Sequence, residues 1–296
     1  MKFASFLEGS RHRIGAVNVD ASFVRPLDPT VHDMIDLIER YDEVSGLGLV
    51  DGPGIALHRV KLLAPISPRR NIFCVGKNYR AHAKEFAGSG YEAGAGAVTG
   101  AEIDEYPAVF TKPPTSVVGH GDTVDLHPHI TSAVDYEAEL TLVIGKTGHD
   151  IAPEHVYDHI WGYTIVNDVT ARDRQRNHKQ WFMGKALDTF CPMGPWITTA
   201  DELDPNNLDV KCWVNGELRQ DANTRDLIFD IPTLVATISA GLTLRPGDLI
   251  ATGTPAGVGI GFNPPRFLKA GDEVSISISG IGTLNNRFGR PPAGRK

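Results

Sequence analysis

Asp135-Tyr136-Glu137-Ala138-Glu139-Leu140-Thr141-Leu142-Val143-Ile144 is the stretch from which the rest of the chain can be read. Its Leu, Thr, Val and Ile favour a strand, predicted over Ala138–Ile144. A strand sends alternate side chains to opposite faces, so Glu137 and Glu139 share a face with Cα atoms about 6.5–7 Å apart. Two carboxylates so placed repel and raise each other's pKa unless a cation lies between them. Two readings stay open, a solvent-facing acidic edge and a cation site. Leu140, Leu142 and Val143 carry the strand into a core, which weakens the first.

Two further segments offer matching chemistry. In Val166-Asn167-Asp168-Val169-Thr170-Ala171-Arg172-Asp173, Asp168 follows an apolar strand predicted over Gly162–Asn167. Loops at strand ends often carry function, although an Asp there also serves as a turn or cap residue. With Glu137 and Glu139 it would complete a three-carboxylate oxygen set, which suits Mg²⁺ or Mn²⁺. No His or Cys stands at a spacing that makes zinc the better match. In Gly76-Lys77-Asn78-Tyr79-Arg80-Ala81-His82-Ala83-Lys84-Glu85-Phe86, a helix over Tyr79–Phe86 with Asn78 as cap would bring His82 and Glu85 together at i, i+3. A carboxylate beside an imidazole fixes its tautomer and makes a candidate base for activating water. A surface ion pair is the other reading of that spacing.

The remaining chain is strand-dominated. Of 296 residues, 41% are hydrophobic and 22% charged, which is globular composition. The 31 Gly and 20 Pro favour many short strands joined by turns. Strands are predicted at Lys2–Phe6, Arg13–Val19, Ile72–Val75, Ala108–Thr111, Lys211–Val214, Leu249–Thr252 and Glu273–Ile278. Helices are predicted over Thr30–Val44, begun by Asp28-Pro29, and over Ile231–Ala240, with Pro232 in its first turn. Asp51-Gly52-Pro53-Gly54 breaks the chain between them. The fold class is mixed, β-rich α+β. A boundary in Ala64–Pro68 divides a small N-terminal domain, residues 1–65, from residues 66–296. Residues 87–107, rich in Gly and Ala, read as a loop or lid.

Charge and cysteine usage exclude several classes. A net charge of −7 without any Lys/Arg-rich stretch argues against nucleic acid and a polybasic membrane contact. No run of 18 apolar residues suggests a membrane span. Three cysteines without CxxC spacing, and an opening segment interrupted by Glu8 and Arg11, point to a reduced, cytoplasmic protein. Cys191 is expected to be packed and unreactive, and His120, His127, His129 and His149 to be solvated. The glycines of Gly253–Gly259 look superficially like a phosphate loop, but no GK[ST] follows them.

Seven blocks give the chain a recognisable order: GKNYRAHAKE (76–85), FTKPPTSVVG (110–119), DYEAELTLVIG (135–145), NDVTARDRQ (167–175), GKALDTFCPMGPWI (184–197), VNGELRQ (214–220) and ATGTPAGVG (251–259). This order resembles the fumarylacetoacetate hydrolase family, in particular its bacterial acylpyruvase-type and 2-hydroxyhepta-2,4-diene-1,7-dioate isomerase-type members. The resemblance implies a curled mixed β-sheet roll behind a small N-terminal α+β domain. It implies Mg²⁺ or Mn²⁺ on Glu137, Glu139 and Asp168, and a His82–Glu85 dyad on a lid segment. Lys185 falls on the family's active-site lysine. Tyr79, Lys112, Arg172, Gln175 and Thr254 fall on positions that line the substrate pocket.

The activity so implied is metal-dependent hydrolysis of a C–C bond in an acylpyruvate-type β-diketo 2-oxo acid. It would run through a metal-stabilised enolate, with the dyad activating water. An oxaloacetate-type decarboxylase or a 2-hydroxyhepta-2,4-diene-1,7-dioate-type isomerase shares that enolate and is the alternative. A non-catalytic binding module is more distant, since it has no need of all six site groups. The implied partner is a small 2-oxo acid, and the implied assembly is a homodimer. The chain departs from the family pattern at residues 87–107, longer than in compact members, and at Ala186, where Ser is common.

Overall fold

A computed structural model describes residues 1–20, 22–43, 54–91 and 104–291. The opening segment supplies β1 (Lys2–Glu8), β2 (Arg11–Asn18), β3 (Phe23–Pro26), β4 (Ile55–Ala56) and β5 (Lys61–Leu62). Then come β6 (Ile72–Gly76), β7 (Ala108–Lys112), β8 (Val117–Val118), β9 (Thr123–Asp125), β10 (Val134–Asp135) and β11 (Ala138–Ile144). After them follow β12 (Ile160–Asn167), β13 (Thr170–Ala171), β14 (Cys191–Thr199), β15 (Asp209–Val214) and β16 (Glu217–Asn223). The last are β17 (Leu249–Ala251), β18 (Glu273–Ile278) and β19 (Gly282–Gly289). The helices are α1 (Met34–Glu39), α2 (Arg80–Gly88), α3 (Arg172–Asn177), α4 (Phe182–Lys185) and α5 (Ile231–Ser239).

The main sheet runs β4-β3-β2-β1-β14-β12-β11-β17-β6-β7, with β5 joined to β1 and β8 to β14. A second sheet runs β16-β15-β18-β19-β9. Parallel pairs (β17 with β6, β19 with β9) stand among antiparallel ones, so both sheets are mixed. The expected sheet-rich α+β class is what the chain adopts. Strand β11 is buried along its whole length, because it lies centrally in the sheet and is covered on both faces. One face packs on the second sheet, where Leu140 and Ile165 share a core with Val210, Ile276 and Leu284. The other face carries α1, whose Met34, Leu37 and Ile38 pack with Phe3, Val143 and Ile197. The alternation read in β18 holds, with Val274, Ile276 and Ile278 turned inward.

Several local expectations need correction. Helix α1 begins at Met34 rather than Thr30, because Asp33 caps it by accepting the Asp36 N–H. Asp28 closes a separate turn through the Thr30 amide and hydroxyl. Val44, its predicted end, lies outside the described residues, as do Asp51–Pro53 and most of the Gly/Ala-rich stretch (92–103). Asn78 does not cap α2; Tyr79 holds that position without a side-chain bond. Asn78 is instead fully buried and joins Phe229 and Thr252. His129 and His149 are exposed, but His120 and His127 are half-buried and hydrogen-bonded to Asn285 and Asp188.

The opening strands continue the main sheet, since Phe3 of β1 pairs with Ile197 of β14. A boundary near residue 65 is therefore a proposal about folding units within one sheet. Among the described residues, no helix is long and apolar enough to cross a membrane.

Candidate active site

The loop before β11 and the end of β12 meet because their backbones are tied. Asp168 N–H donates to the Glu137 carbonyl at 2.8 Å, and Asn167 Oδ1 accepts the Glu137 N–H at 3.0 Å. Glu137 stands just ahead of β11, and Glu139 lies within it. The carboxylate oxygens of Glu137, Glu139 and Asp168 gather within 4.8 Å of one another, and all three residues are buried. The acidic face predicted from alternation thus points inward, and the solvent-edge reading falls.

Three cations surround the cluster. Lys185 Nζ bridges Glu137 Oε2 and Asp168 Oδ2, at 2.7 Å each. Lys112 Nζ donates to Asp168 Oδ1 at 2.6 Å and to the carbonyls of Val169 and Lys185. Arg172 Nε donates to Asp135 Oδ2 at 2.9 Å, and its Nη1 reaches Gln175 Oε1 at 3.2 Å. Nη2 lies 2.8 Å from Glu137 Oε1 as an ion pair, yet makes no hydrogen bond among the described residues.

Charge explains the pKa directions. Burial alone would push Glu137 up, but Lys185 and Arg172 override it and hold the carboxyl down at about 2. Glu139 goes the other way. Burial raises it first, Asp168 and Glu137 add repulsion, and Lys185 and the Gly253 N–H offset only part. Asp135, Glu137, Glu139 and Asp168 are four buried carboxylates; Lys112, Arg172 and Lys185 are three buried cations. The site is short of positive charge at Glu139. An all-oxygen donor set with that deficit fits a hard divalent ion. The bonds already made to Glu137 and Asp168 leave room for it, because each carboxylate oxygen has two acceptor sites.

The structure brings His82 and Glu85 together, with His82 Nδ1 3.2 Å from Glu85 Oε2. The holder of this pair was not anticipated. Gly257 N–H donates to both Glu85 oxygens, at 2.9 and 3.2 Å. Asp135 in turn accepts from Gly259 and Ile260 N–H, fixing the same loop. Gly253 N–H donates to Glu139 at 2.9 Å. The glycines that superficially resemble a phosphate loop therefore present their amides to protein carboxylates.

A narrow cleft, partly open to solvent, brings His82, Glu137, Glu139, Arg172, Gln175, Lys185 and Thr254 together. Thr254 Oγ1 is held by Gln220. Phe86, Phe110 and Trp181 form an aromatic wall, with Trp181 edge-on to both phenyl rings. Two predicted pocket residues lie elsewhere. Lys112 is fully buried behind the cluster, where it holds Asp168. Tyr79 lines a separate outer cavity with Arg80, Lys84 and Arg225. Lys77, Phe110, Trp181 and Asp135 were not singled out in sequence. Asp135 stands two residues before Glu137, so the motif contained it, but its partner Arg172 is 37 positions away.

Comparison with known proteins agrees with this geometry. The domain model described as fumarylacetoacetate (FAA) hydrolase C-terminal matches residues 71–289. The chain is 53% identical over 236 residues to oxaloacetate tautomerase YisK from Bacillus subtilis (strain 168), covering 79% of this chain and 75% of that protein. The structure of fumarylacetoacetate hydrolase from psychrophilic Exiguobacterium antarcticum superposes with a TM-score of 0.84 at 42% identity, covering 98% of this chain and 99% of that one. Maleylpyruvate hydrolase from Sphingobium sp. SYK-6, in complex with manganese(II) ion and pyruvate, superposes with a TM-score of 0.78 at 33% identity, covering 99% and 100%. With its sheet roll and the cluster of Glu137, Glu139 and Asp168, the chain belongs to the fumarylacetoacetate hydrolase family.

Proposed function

We propose that the protein is a divalent-metal-dependent enzyme that interconverts the keto and enol forms of an oxaloacetate-type 2-oxo dicarboxylate. One observation carries the reading: a carboxylate-held imidazole shares a small cavity with three carboxylates crossed by lysine and arginine. Moving a proton between carbon and oxygen needs a base and surroundings that tolerate an enolate. Identity of 53% to the B. subtilis tautomerase supports this choice among enolate reactions.

Glu137, Glu139 and Asp168 would hold Mg²⁺ or Mn²⁺, which when bound supplies a Lewis acid for the oxygens of a 2-oxo acid. Arg172 and Lys185 add positive charge where the enolate charge grows. Burial opposes the charge on both, but Asp135, Glu137 and Asp168 outweigh it and keep both groups protonated. With Nδ1 held by Glu85, Nε2 of His82 is the nitrogen left to take the proton from C3. The C–H electron pair becomes the C2–C3 double bond, and the carbonyl pair moves onto oxygen. That oxygen takes a proton from solvent, and the imidazolium returns its own to solvent. Phe86, Phe110 and Trp181 limit water beside the reacting carbon.

Hydrolysis of an acylpyruvate is the second reading, favoured by the dyad, since the same imidazole could deprotonate water for attack on the distal carbonyl. Product analysis decides. Oxaloacetate and an acylpyruvate are incubated with Mn²⁺-loaded enzyme while enol absorbance and free pyruvate are followed. Accelerated enol–keto exchange without pyruvate supports tautomerisation. Pyruvate from oxaloacetate means decarboxylation, and pyruvate with a carboxylic acid from the acylpyruvate means hydrolysis. No acceleration of any of these overturns the assignment as an enzyme. We place the protein in the cytoplasm, in keeping with three free, buried cysteines, and as a homodimer by likeness to its family.

A further inference from the structure

Among the described residues, Lys77, Arg172 and Lys185 are the lysines and arginines that line the cavity. Arg172 and Lys185 are ion-paired to carboxylates within the site and are nearly inaccessible. Lys77 differs in partner and in place. Its ammonium lies 2.9 Å from Asp104 Oδ2, a residue that does not line the cavity, and the two side chains are 15% and 31% exposed. The charge of Lys77 therefore stands toward the mouth, beside a carboxylate that is already partly in water.

The backbone at Lys77 is also unusual. Its φ is +55°, in the left-handed region that lysine seldom adopts. The preceding Gly76 ends β6 hard against Trp181, where a Cβ would meet Cζ3 at 2.1 Å. Close packing beneath the strand end and an unfavourable turn above it hold Lys77 at the rim. Such strain, kept at the edge of a site, points to a role for the residue held there.

Resting on the tautomerase reading, we infer that Lys77 receives the far carboxylate of a 2-oxo dicarboxylate, exchanging Asp104 for it. It thereby sets the preference for substrates with two acidic ends over 2-oxo acids with a neutral end. Among the described residues, the cavity's Phe86, Phe110 and Trp181 offer a carboxylate no donor comparable to an ammonium. The exchange replaces one carboxylate by another at the same ammonium, and the released Asp104, 31% exposed, turns toward water.

The test compares kcat/KM for oxaloacetate and for acetylpyruvate, whose far end is a neutral methyl ketone, with Mn²⁺ present. In Lys77→Met the ratio of the two should fall by about 10-fold or more, through KM for oxaloacetate, the scale of one hydrogen bond to a charged group. Lys77→Arg should restore most of the ratio, and Asp104→Asn should raise it by removing a competing carboxylate. An unchanged ratio in Lys77→Met, or a fall in Asp104→Asn, overturns the inference. If the wild-type protein tautomerises neither acid, the functional reading fails by itself, and Lys77 is judged by calorimetric binding of malate and lactate to the Mn²⁺-loaded protein. A wild-type preference for malate that is lost in Lys77→Met sustains the inference. The same preference in both proteins refutes it.

Discussion

The carboxylate of Glu85 occupies the space that a side chain on Gly261 would need: a Cβ there would lie 1.7 Å from Oε1. Gly261→Ala should therefore leave the fold intact and displace the flexible Glu85 side chain, freeing it from both His82 and Gly257. A general base contributes roughly 10²–10⁴-fold; losing its orienting partner should lower kcat about 10- to 100-fold. Circular dichroism should stay native. Adding Glu85→Ala empties the space, so the double variant should be no slower than Glu85→Ala alone. Additive losses would show that Gly261 acts elsewhere.

His82 lines the cavity but contributes no ligand atom to the cluster of Glu137, Glu139 and Asp168. His82→Ala should abolish turnover while Mn²⁺ affinity, measured by calorimetry, stays within a few-fold of wild type. Wild-type rates in this variant would remove the imidazole from the reaction.

Burial and the charges of Asp168 and Glu137 push Glu139 up, so a charge there is the least compensated of the three. Stripping the protein with EDTA should abolish activity, and Mg²⁺ or Mn²⁺ should restore it. Glu139→Gln keeps an acceptor for the Gly253 N–H and removes the repulsion from Glu137 and Asp168. The metal-free variant should therefore melt higher than metal-free wild type, by about 2–4 °C for each kcal/mol relieved. The rise in Tm on adding Mn²⁺ should shrink in the variant. A lower Tm in metal-free Glu139→Gln would mean that the lysines already balance the cluster.

The parts of this site that were legible in sequence are those where function and secondary structure share one short segment. Glu139 and the apolar run after it lie on one strand that Glu137 directly precedes, and His82 and Glu85 lie on one helical turn. Strand β14 was not predicted, because Pro192, Gly194 and Pro195 interrupt it and proline in a run argues against a central strand. The roles of Asp135, Gly257 and Gly261 depend on contacts across 37 to 176 positions. Local periodicity carries no information about such pairs. Lys112 was assigned to the pocket, but its full burial behind Asp168 depends on how β7 packs beneath α4, which no segment of the chain displays alone.

Three thiols set the behaviour at alkaline pH. Cys74, Cys191 and Cys212 are fully buried, and burial pushes each thiol up, Cys191 to about 12. Unfolding returns them to about 8.5. Their contribution to stability is therefore complete below about pH 8.5 and is lost as pH rises toward the folded values, because the unfolded chain then ionises and the native one does not. Each thiol can add up to about 1.4 kcal/mol per pH unit to that loss. Tyr79, Tyr136 and Tyr163 are raised in the same direction, but they ionise in the unfolded chain only near pH 10. The window from about pH 8.5 to 10 thus belongs to the cysteines. Urea midpoints measured across it should fall steadily in wild type and more shallowly in Cys191→Ala. The native protein should also resist a thiol-specific chromogenic reagent at pH 8 until urea is added. Rapid labelling of the folded protein, or a flat midpoint across the window, would show that these thiols are reached by solvent.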